Sequence, residues 1–350
     1  TFDSSKVDLD YFKYFVKSPA FIAALQKQVK GGIKTEIKPK HLLPLEISIP
    51  DLLTQQRIVK KISLQLQKTE QLSLEIESQK NYIKQLRQNI LQDAIEGKLT
   101  ADWRKQNPLQ KGNPDYDAEA LFEQIQKERS NEKKQKELSP ITDEEKPFEI
   151  PEGWKWIKMG EIYSFSNGTA SRGSLNGKPY PVLRLADLSS GEIDISNVRC
   201  ITLTENEFNS HMVCNDDLIF IRVNGSKDRV GTAFLYNSSI PMSYCDHLFC
   251  GHKKSSSILS TFTMIVFNCP FSKNQIIPLV KTTTGQNTIN QGSMAIIKLP
   301  FPPLAEQKEI LKQVEKHLQT VSDLENQITE REQLTKTLMQ SILKDAFEER

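Results

Sequence analysis

The sequence lacks the features of a membrane, secreted or disulfide-stapled protein. No apolar run approaches the roughly 18 residues that a membrane span needs, and no charged-then-apolar signal peptide opens the chain. The five cysteines are odd in number and confined to residues 200–269, which predicts reduced thiols rather than a disulfide framework. We therefore expect a soluble, cytoplasmic protein with no membrane partner.

Motifs for nucleotide or methyl-donor chemistry are also missing. No Gly-rich phosphate or dinucleotide loop follows a predicted strand, and no Walker-type GK[ST] occurs. The FPPL that starts at Phe301 lacks the Asn of an NPPY methyltransferase motif, and its prolines are better explained as a helix start. The net charge is only +2, so whole-chain charge is no argument for nucleic-acid binding. A self-contained methyltransferase is therefore disfavoured.

What the sequence does contain is an internal repeat. Residues 50–96 align with residues 302–348 without a gap, and about 17 of the 47 positions are identical. Both copies have apolar residues at helical spacing, and prolines lie before each predicted helix but not inside it. Each helix should run about 43 residues, or roughly 65 Å, which is too long for an ordinary domain helix.

Two such amphipathic helices bury their apolar stripes most simply by packing on each other as a coiled coil. If they pair within one chain, the segment between them folds back, which makes the pair antiparallel and gives it a pseudo-two-fold axis. The alternative is that each helix packs on a separate core. The predicted pairing residues are Leu52, Ile58, Ile62, Leu66, Leu72, Ile76, Ile83, Leu86, Ile90, Leu304, Ile310, Val314, Leu318, Leu324, Ile328, Leu338 and Ile342.

The repeat continues upstream of the helices. Residues 11–50 occupy the place of residues 262–302, and each segment is predicted to form a strand, a short helix, a polar Gly-containing loop and a second strand. The chain begins TFDSS without an initiator methionine. We therefore expect residues 1–50 to be the C-terminal tail of a first domain whose upstream part is missing.

The fold class predicted is α+β, a domain of mixed short strands combined with an antiparallel pair of long helices. The helices are predicted at residues 51–97 and 303–350, and the complete α+β domain at residues 147–302. Residues 98–146 form a charged linker, with a short helix around residues 117–135. The charged run KERSNEKKQKE at 127–137 is interpreted as a solvated helix face, with a nucleic-acid role as the alternative.

Four motifs occur in a characteristic order. PEGWKWIKMGEI (Pro151–Ile162) opens the complete domain, IPDLLTQQRIV and FPPLAEQKEIL open the long helices, and ILQDAIEGKLTADWR leads into the linker. Together they resemble the specificity subunit of type I DNA restriction-modification enzymes. The resemblance covers essentially the whole chain, except that the family has two complete target-recognition domains.

This resemblance implies a subunit without catalysis of its own. Each target-recognition domain would read one half of a bipartite site in double-stranded DNA, and the paired helices would be a spacer that docks two methyltransferase subunits, which restriction subunits then join. S-adenosylmethionine, ATP and Mg²⁺ would belong to these partners. With its first domain incomplete, the chain would read one half-site, and self-association of two such chains stays open. A coiled-coil scaffold that reads no sequence is the alternative function.

Two polar loops are the strongest candidates for DNA contact, because base readout needs Arg, Lys, Asn or Gln on tips that reach a groove. One is RVNGSKDR at 222–229, predicted as a hairpin tip, and the other is TTTGQNTINQGS at 282–293. An exposed tip or a self-capping turn is the alternative for both. The predicted DNA-binding residues are Arg222, Asn224, Ser226, Lys227, Arg229, Gln286, Asn287 and Asn290, with Tyr180, Arg184 and His247 as weaker candidates.

Basic residues dominate the second half of the complete domain. Residues 218–298 contain only two acidic residues, Asp228 and Asp246, so we expect this half to face the phosphates. Replacing Lys227 and Arg229 by Ala should weaken DNA binding and flatten its salt dependence. The basic residues are Arg222, Lys227, Arg229, Lys253, Lys254, Lys273, Lys281 and Lys298.

The stretch CDHLFCGH raises the possibility of a zinc site. It places Cys245, His247, Cys250 and His252 within eight residues. The C-x-H-x2-C-x-H spacing is not a common zinc-finger pattern, so ordinary thiols and imidazoles without a metal are the preferred interpretation.

Overall fold

A computed structural model describes residues 3–28, 37–129, 138–188 and 191–348, and it divides into two compact units, residues 1–86 with 320–350 and residues 87–319. The described helices are α1 (Leu9–Phe15), α2 (Pro19–Gln28), α3 (Pro39–Leu42), α4 (Leu52–Ile95), α5 (Ala101–Gln106), α6 (Ala118–Arg129), α7 (Met159–Ile162), α8 (Glu205–Ser210), α9 (Ser260–Asn268), α10 (Pro270–Ile276), α11 (Gln291–Ala295) and α12 (Leu304–Glu348). The described strands are β1 (Lys155–Lys158), β2 (Tyr163–Asn167), β3 (Lys178–Leu183), β4 (Cys200–Leu203), β5 (Met212–Val213), β6 (Leu218–Ile221), β7 (Val223–Asn224), β8 (Ala233–Leu235), β9 (Met242–Tyr244), β10 (Leu248–Lys253), β11 (Lys281–Thr283), β12 (Gln286–Thr288) and β13 (Lys298–Phe301).

The two long helices are antiparallel where they meet in the first unit. Lys80 Nζ lies 2.8 Å from Glu332 Oε2, and Arg331 Nη1 donates to Gln79 Oε1 at 2.9 Å. Each pair joins positions 252 apart, which is the offset of the repeat, so equivalent positions face each other as they must at the axis of an antiparallel repeat. The prediction of an α+β fold with two long antiparallel helices is confirmed.

The predicted pairing residues fall into three classes of burial. Eight are buried: Ile62, Ile76, Ile83, Ile90, Ile310, Val314, Ile328 and Ile342. Five are half-buried: Leu52, Ile58, Leu66, Leu304 and Leu318. The remaining four, Leu72, Leu86, Leu324 and Leu338, are exposed. These exposed leucines occupy only two positions of the repeat, since Leu72 corresponds to Leu324 and Leu86 to Leu338.

A buried glutamine marks the start of each long helix. Gln55 Nε2 donates to Pro50 O at 2.8 Å, and Gln307 Nε2 donates to Pro302 O at 2.8 Å. The bond therefore recurs at equivalent places in the repeat, and it satisfies a carbonyl just before each helix begins. Gln55 also donates to Lys6 O and accepts from Asp8 N, both at 2.8 Å, which holds the start of α1.

The predicted first strand in each repeat copy is wrong, because α1 and α9 are helices. In α9 the run FTMIVF is apolar on nearly all sides, and such a run does not distinguish a strand from a buried helix by periodicity. In α1, Asp8 caps the helix by accepting from Asp10 N and Tyr11 N. No strand precedes α4 within residues 37–51 either, whereas β13 does precede α12. In the first copy, the polar loop predicted between the short helix and the second strand falls largely on residues 29–36, outside the described residues.

Residues 147–302 are layered around one four-stranded sheet of order β2-β10-β6-β8. The continuous apolar run LIFI of β6 is buried on both faces, as expected for a central strand. Its Leu218 and Phe220 pack with the helices of one core, and its Ile219 and Ile221 pack with a second core that contains Tyr244. A second four-stranded sheet, β4-β3-β9-β5, contributes to that second core, and its β3 and β9 are parallel.

The two ends of the domain are fastened together and to the linker. The antiparallel β1–β13 pair joins residues 155–158 to residues 298–301. At the start of α12 the buried Glu306 carboxylate accepts from Trp154 Nε1 at 2.7 Å and Thr100 Oγ1 at 2.7 Å, and it forms an ion pair with Arg104. The motifs PEGW and GKLTADWR thus supply the partners of one buried carboxylate.

Other features bear on earlier predictions. All five cysteines are free thiols. Within the described part of the chain, none of the helices combines the length and the apolar character that a membrane span requires. The predicted linker helix is α6, and residues 130–137 of the charged run lie outside the described residues.

Candidate nucleic-acid interface

The two loops predicted to contact DNA lie side by side. Strand β7, from the first loop, pairs with β12, from the second, so that Asn224 faces Asn287 and Val223 faces Thr288. Together with β11 they form a small three-stranded sheet of order β11-β12-β7. Segments about 60 residues apart in the chain therefore make one surface.

The second loop is a β-hairpin rather than an irregular loop. Lys281–Thr283 pairs with Gln286–Thr288, and the two residues between the strands have positive φ, 45° at Thr284 and 77° at Gly285. Two consecutive positive φ values are typical of the type I′ turn, whose twist matches that of the flanking strands. A threonine in this conformation is uncommon, and the turn projects exposed side chains from both strands.

A turn at residues 245–247 and a Gly-rich loop at residues 168–174 complete this surface. Asp246 is the centre of the contacts, since its carbonyl accepts from Arg222 Nη1 at 3.0 Å and its carboxylate lies 3.4 Å from Arg172 Nη2. The loop approaches the turn so closely that a Cβ added to Gly168 would lie 2.0 Å from Cys245 O. We call residues 168–174, 222–229, 245–247 and 281–290 the recognition surface.

Several predicted DNA-binding residues are used inside the protein. Asn287 is buried and donates to Gly225 O at 2.8 Å, and the Asn290 side chain accepts from Ser293 N at 2.8 Å as the cap of α11. Asn224 Oδ1 accepts from Ser226 N at 2.9 Å, which shapes the loop. Arg222 lies over the Phe249 ring besides contacting Asp246, and Arg229 Nη2 donates to Leu188 O at 3.2 Å.

The weaker candidates lie on β3, directly after it, or on the turn at residues 245–247. Tyr180 stacks on Phe208, with ring centroids 4.1 Å apart. Arg184 makes a bidentate contact with the buried Asp187 carboxylate, at 2.9 Å and 3.4 Å. His247 Nδ1 lies 3.1 Å from Asp246 Oδ1. Arg184 thus has an internal ionic partner, whereas His247 belongs to the recognition surface.

Among the longer polar side chains of the recognition surface, a lysine of the first loop and two residues of the hairpin are exposed without an internal partner among the described residues. They are Lys227 on the first loop, and Lys281 and Gln286 on the hairpin. Ser226 is also exposed, and its backbone is fixed by Asn224. These side chains remain available to an external partner.

Most basic residues of the domain's second half point inward. Lys254 donates to Gly160 O at 2.5 Å, Lys253 pairs with Asp216, and Lys298 lies 3.6 Å from a Glu145 carboxylate oxygen. Lys273 Nζ donates to Thr232 Oγ1 at 2.7 Å and to two carbonyls at the base of the first loop. Burial is the main reason that the pKa of Lys273 is lowered to about 8. Six of the eight basic residues of this half thus have internal partners, and the expectation that it faces the phosphates stays a prediction.

Sequence reasoning missed Arg172 and the central role of Asp246. Arg172 is largely exposed and lies in the segment SNGTASRGSLNG, whose Gly, Ser and Asn content is typical of a surface loop. That composition offered a signal for a third loop. Nothing in the sequence indicated that this loop would meet the turn at Asp246.

The four residues of the CDHLFCGH stretch do not converge. Cys245 and His247 lie with Asp246 on the turn, whereas Cys250 and His252 lie with Asp217 on the central sheet. His252 Nδ1 is 2.8 Å from Asp217 Oδ2, and Cys250 Sγ is 3.6 Å from both of these atoms. Burial, followed by the nearby Asp217 carboxylate, raises the pKa of the Cys250 thiol.

An apolar groove on the helix pair is a second candidate surface. It has a volume of about 480 Å³ and is lined by Gln79, Tyr82, Ile83, Leu86, Leu324, Gln327, Ile328 and Arg331. Tyr82 is 66% exposed, and Leu86 and Leu324 are exposed although they lie at core-like positions of the repeat. The groove is therefore a candidate surface for a partner.

Comparison with known families decides the class of protein. Residues 151–334 match the family described as type I restriction modification DNA specificity domain. The whole recognition surface lies within this range. The chain belongs to this family. Among curated specificity-family proteins, it is 29% identical to the type I restriction enzyme StySPI specificity subunit of Salmonella potsdam, and the match covers 97% of this chain and 64% of that one. It is 26% identical to the EcoKI specificity subunit of Escherichia coli K12, and this match covers 96% of this chain and 64% of that one.

Solved structures support the specificity-family fold. The HsdS subunit from Thermoanaerobacter tengcongensis matches with a TM-score of 0.51 and 17% identity, covering 99% of this chain and 71% of that one. A chain from a study of complex assembly and conformational transition of the type I R-M system matches with a TM-score of 0.60 and 17% identity, covering 99% and 72%. The chain spans about 64% of the length of the two curated relatives named above.

Proposed function

We propose that this chain is a DNA sequence-recognition subunit of a type I restriction-modification complex. Its complete domain reads one half of a bipartite site in double-stranded DNA through the recognition surface. The observation that carries the proposal is the pairing of β7 with β12, which unites two separately predicted loops within the segment that matches the specificity family. Its catalytic steps belong to partner subunits, which hold S-adenosylmethionine, ATP and Mg²⁺.

Within the recognition surface, different residues have different roles. The exposed Lys227 and Lys281 ammonium groups are suited to phosphates, which fix register and orientation but carry no sequence information. Gln286, on the hairpin strand, carries an amide that can bond a base edge, adenine in particular. The turn end of the hairpin, at residues 283–286, is two-stranded, because β7 pairs with β12 only at residues 287 and 288. A two-stranded ribbon fits the major groove, so we assign base reading to this end of the hairpin.

Asn287 and Asn290 then position the hairpin rather than read bases. Asn287 joins the hairpin to the first loop through Gly225 O, and Asn290 caps the helix that follows. The Asn287 amide and the Asn290 side-chain oxygen are already bonded within the domain, so replacing either residue should alter the hairpin before it alters a base contact. Arg222 and Arg229 have the same positioning character, since both guanidinium groups donate to backbone carbonyls.

The helix pair docks two methyltransferase subunits at two equivalent patches. Leu86 and Leu324 line one apolar groove, and the repeat relates them to Leu338 and Leu72. Lys80 contacts Glu332 and Gln79 contacts Arg331, so the two-fold axis of the repeat passes near these residues. On α4 they lie between Leu72 and Leu86, and the axis therefore separates the two leucine pairs. We infer a second patch at Leu338 and Leu72 from the repeat, and two such patches would suit two copies of the same partner. Restriction subunits join this core.

DNA binding by the complex with methyltransferase subunits tests the proposal. Fluorescence anisotropy over a salt titration should show that Lys227→Ala combined with Lys281→Ala lowers the slope of log affinity against log salt by about 2, since each phosphate contact contributes about 1. Affinity at about 0.1 M salt should fall roughly tenfold or more. Binding must also favour particular sequences over competitor DNA.

A matched control removes two exposed lysines outside the recognition surface, Lys111→Ala with Lys308→Ala. This variant loses the same charge but should retain the wild-type salt slope. Equal slopes for the two double variants would reject the recognition surface as the phosphate contact. Sequence-independent binding by the wild-type complex would instead favour the scaffold function.

A further inference from the structure

The central sheet carries a cluster of three metal-ligating side chains that includes a residue outside the CDHLFCGH stretch. Cys250 and His252 are two apart on β10, so their side chains point to the same face of the sheet. In the antiparallel pairing of β6 with β10, Leu218 is the partner of Gly251. Continuing this register by one residue brings Asp217 opposite His252. A thiol, an imidazole and a carboxylate are thus brought to one place by the strand pairing.

The spacing of the three donor atoms is close to that of a tetrahedral zinc site. Around Zn²⁺, with a Zn–S bond of about 2.3 Å and Zn–N or Zn–O bonds near 2.0 Å, a sulfur lies about 3.5 Å from the other ligand atoms. Cys250 Sγ lies 3.6 Å from His252 Nδ1 and 3.6 Å from Asp217 Oδ2. The His252–Asp217 distance of 2.8 Å is a hydrogen bond, and it must lengthen by about 0.5 Å to admit the ion.

The surroundings of the cluster match what metal-binding histidines require. His252 Nε2 lies 2.8 Å from Ser166 Oγ, so the ring nitrogen that does not face the cluster has an oxygen partner. Ser166 is held in turn by Tyr244 at 2.5 Å, and Asp217 Oδ2 accepts from Cys214 N at 2.9 Å. Asp217 and Cys250 are buried, whereas the His252 side chain is 34% exposed, which leaves a path for an ion and for a water as fourth ligand.

We propose that Asp217, Cys250 and His252 bind one Zn²⁺ ion, which would link the start of β6 to β10. A mixed sulfur, nitrogen and oxygen donor set suits zinc better than the hard cations Mg²⁺ and Ca²⁺. The cluster lies at the end of β6 opposite the loop at 222–229, since Asp217 precedes this strand and Arg222 follows it. The ion therefore has a structural role, independent of the proposed contacts with DNA.

The other cluster, on the turn at Cys245, Asp246 and His247, is a suitable control. Its carboxylate already faces the Arg172 guanidinium, and its backbone carbonyl accepts from Arg222, so two cations stand where an ion would approach. A Cys245→Ser, His247→Ala double variant removes as many candidate ligands as a Cys250→Ser, His252→Ala variant. We expect only the latter to lose zinc.

Metal analysis of the purified full chain tests this assignment. After incubation with Zn²⁺ and gel filtration, the wild type and the Cys245→Ser, His247→Ala variant should retain about one zinc per chain, and the Cys250→Ser, His252→Ala variant none. Zinc-free wild-type protein should unfold at a lower temperature than the zinc-loaded form. Absence of stoichiometric zinc from the wild type would overturn the proposal and leave a hydrogen-bonded network of Tyr244, Ser166, His252 and Asp217.

Cobalt substitution of the wild type keeps the test independent of variant folding. Co²⁺ at this site should give a thiolate-to-metal charge-transfer band and the intense visible bands of a tetrahedral centre. A bound ion without the charge-transfer band would exclude Cys250 as a ligand and overturn the assignment. DNA binding is scored separately through the salt slope, so failure of the zinc site leaves the proposed function untouched.

Discussion

Polar side chains serve opposite purposes at the start of α12 and on the recognition surface. Around Glu306 each polar group has an internal partner: Trp154, Thr100 and Arg104 all donate to one carboxylate that is 2% exposed. On the recognition surface, Lys227, Lys281 and Gln286 are exposed without internal partners among the described residues. The first region is built from the motifs PEGW and GKLTADWR, and the second from the two polar loops predicted from the sequence.

The difference shows how burial separates polar side chains that are bonded within the fold from those that stay free at the surface. A buried polar group costs stability unless it is bonded, so its partners are fixed by folding. An exposed group on a rigid strand costs little, and its bonds remain available for a ligand. The internal network should therefore respond to substitution through stability, and the recognition surface through binding.

Removing the Glu306 carboxylate should have the largest effect on stability. Glu306→Ala leaves the Trp154 N–H and the Arg104 guanidinium without their buried acceptor, which should lower the free energy of unfolding by about 3 kcal/mol. Chemical denaturation of the chain measures this loss. Glu315→Ala, at an exposed position of the same helix, is the control and should change stability little. Equal effects of the two substitutions would refute the internal role of Glu306.

The two repeat-related glutamines should differ in a predictable order. Gln55 makes three hydrogen bonds, one to Pro50 O before α4 and two to the segment just before α1, whereas the bond that fixes Gln307 is to Pro302 O. Truncation to Ala should cost about 1–3 kcal/mol in each case, with Gln55→Ala nearer the upper limit. Hydrogen exchange of the amides in α1 and at the start of α12 would locate each loss. A larger effect at Gln307 would contradict this order.

The smallest expected effect concerns an ion pair on the surface of the helix pair. Hydrogen bonds from Lys80 and Lys336 lower the pKa of Glu332 to about 2. Because this folded pKa lies below the unfolded value near 4.5, the stabilisation is complete above pH 4.5 and is lost as the pH falls towards 2. Glu332→Gln should therefore reduce thermal stability slightly near pH 7 and hardly at all near pH 2.5. A pH-independent difference would contradict the pairing.

Much of the helical architecture could be predicted from the sequence, because a gapless repeat with helical spacing leaves few packing solutions. Leu52 and Leu304 begin the long helices within two residues of the predicted starts at 51 and 303. The apolar run at Phe262–Phe267 is predicted as a strand but belongs to α9, since apolar residues on nearly all sides remove the periodicity that separates strand from helix. Long-range packing decided that element.

The recognition surface could be predicted only in part. Both loops were found from their turn residues and polar tips, but the pairing of Asn224 with Asn287 joins positions far apart in the chain. The same limit hid the internal use of Lys273, whose three acceptors lie at residues 228, 230 and 232, and the approach of Asp217 to Cys250. Composition counts charges, whereas tertiary packing decides which of them face outward.

Methylated-adenine sequencing of genomic DNA, in a host that carries the intact system with either wild-type or Gln286→Ala chain, tests the central claim most directly. The wild type should give a bipartite motif. The variant should relax one base position in one half of that motif, since a good bidentate contact discriminates by about 1–3 kcal/mol, and leave the other half and the spacing unchanged. An unchanged motif at full methylation would contradict base reading by the hairpin.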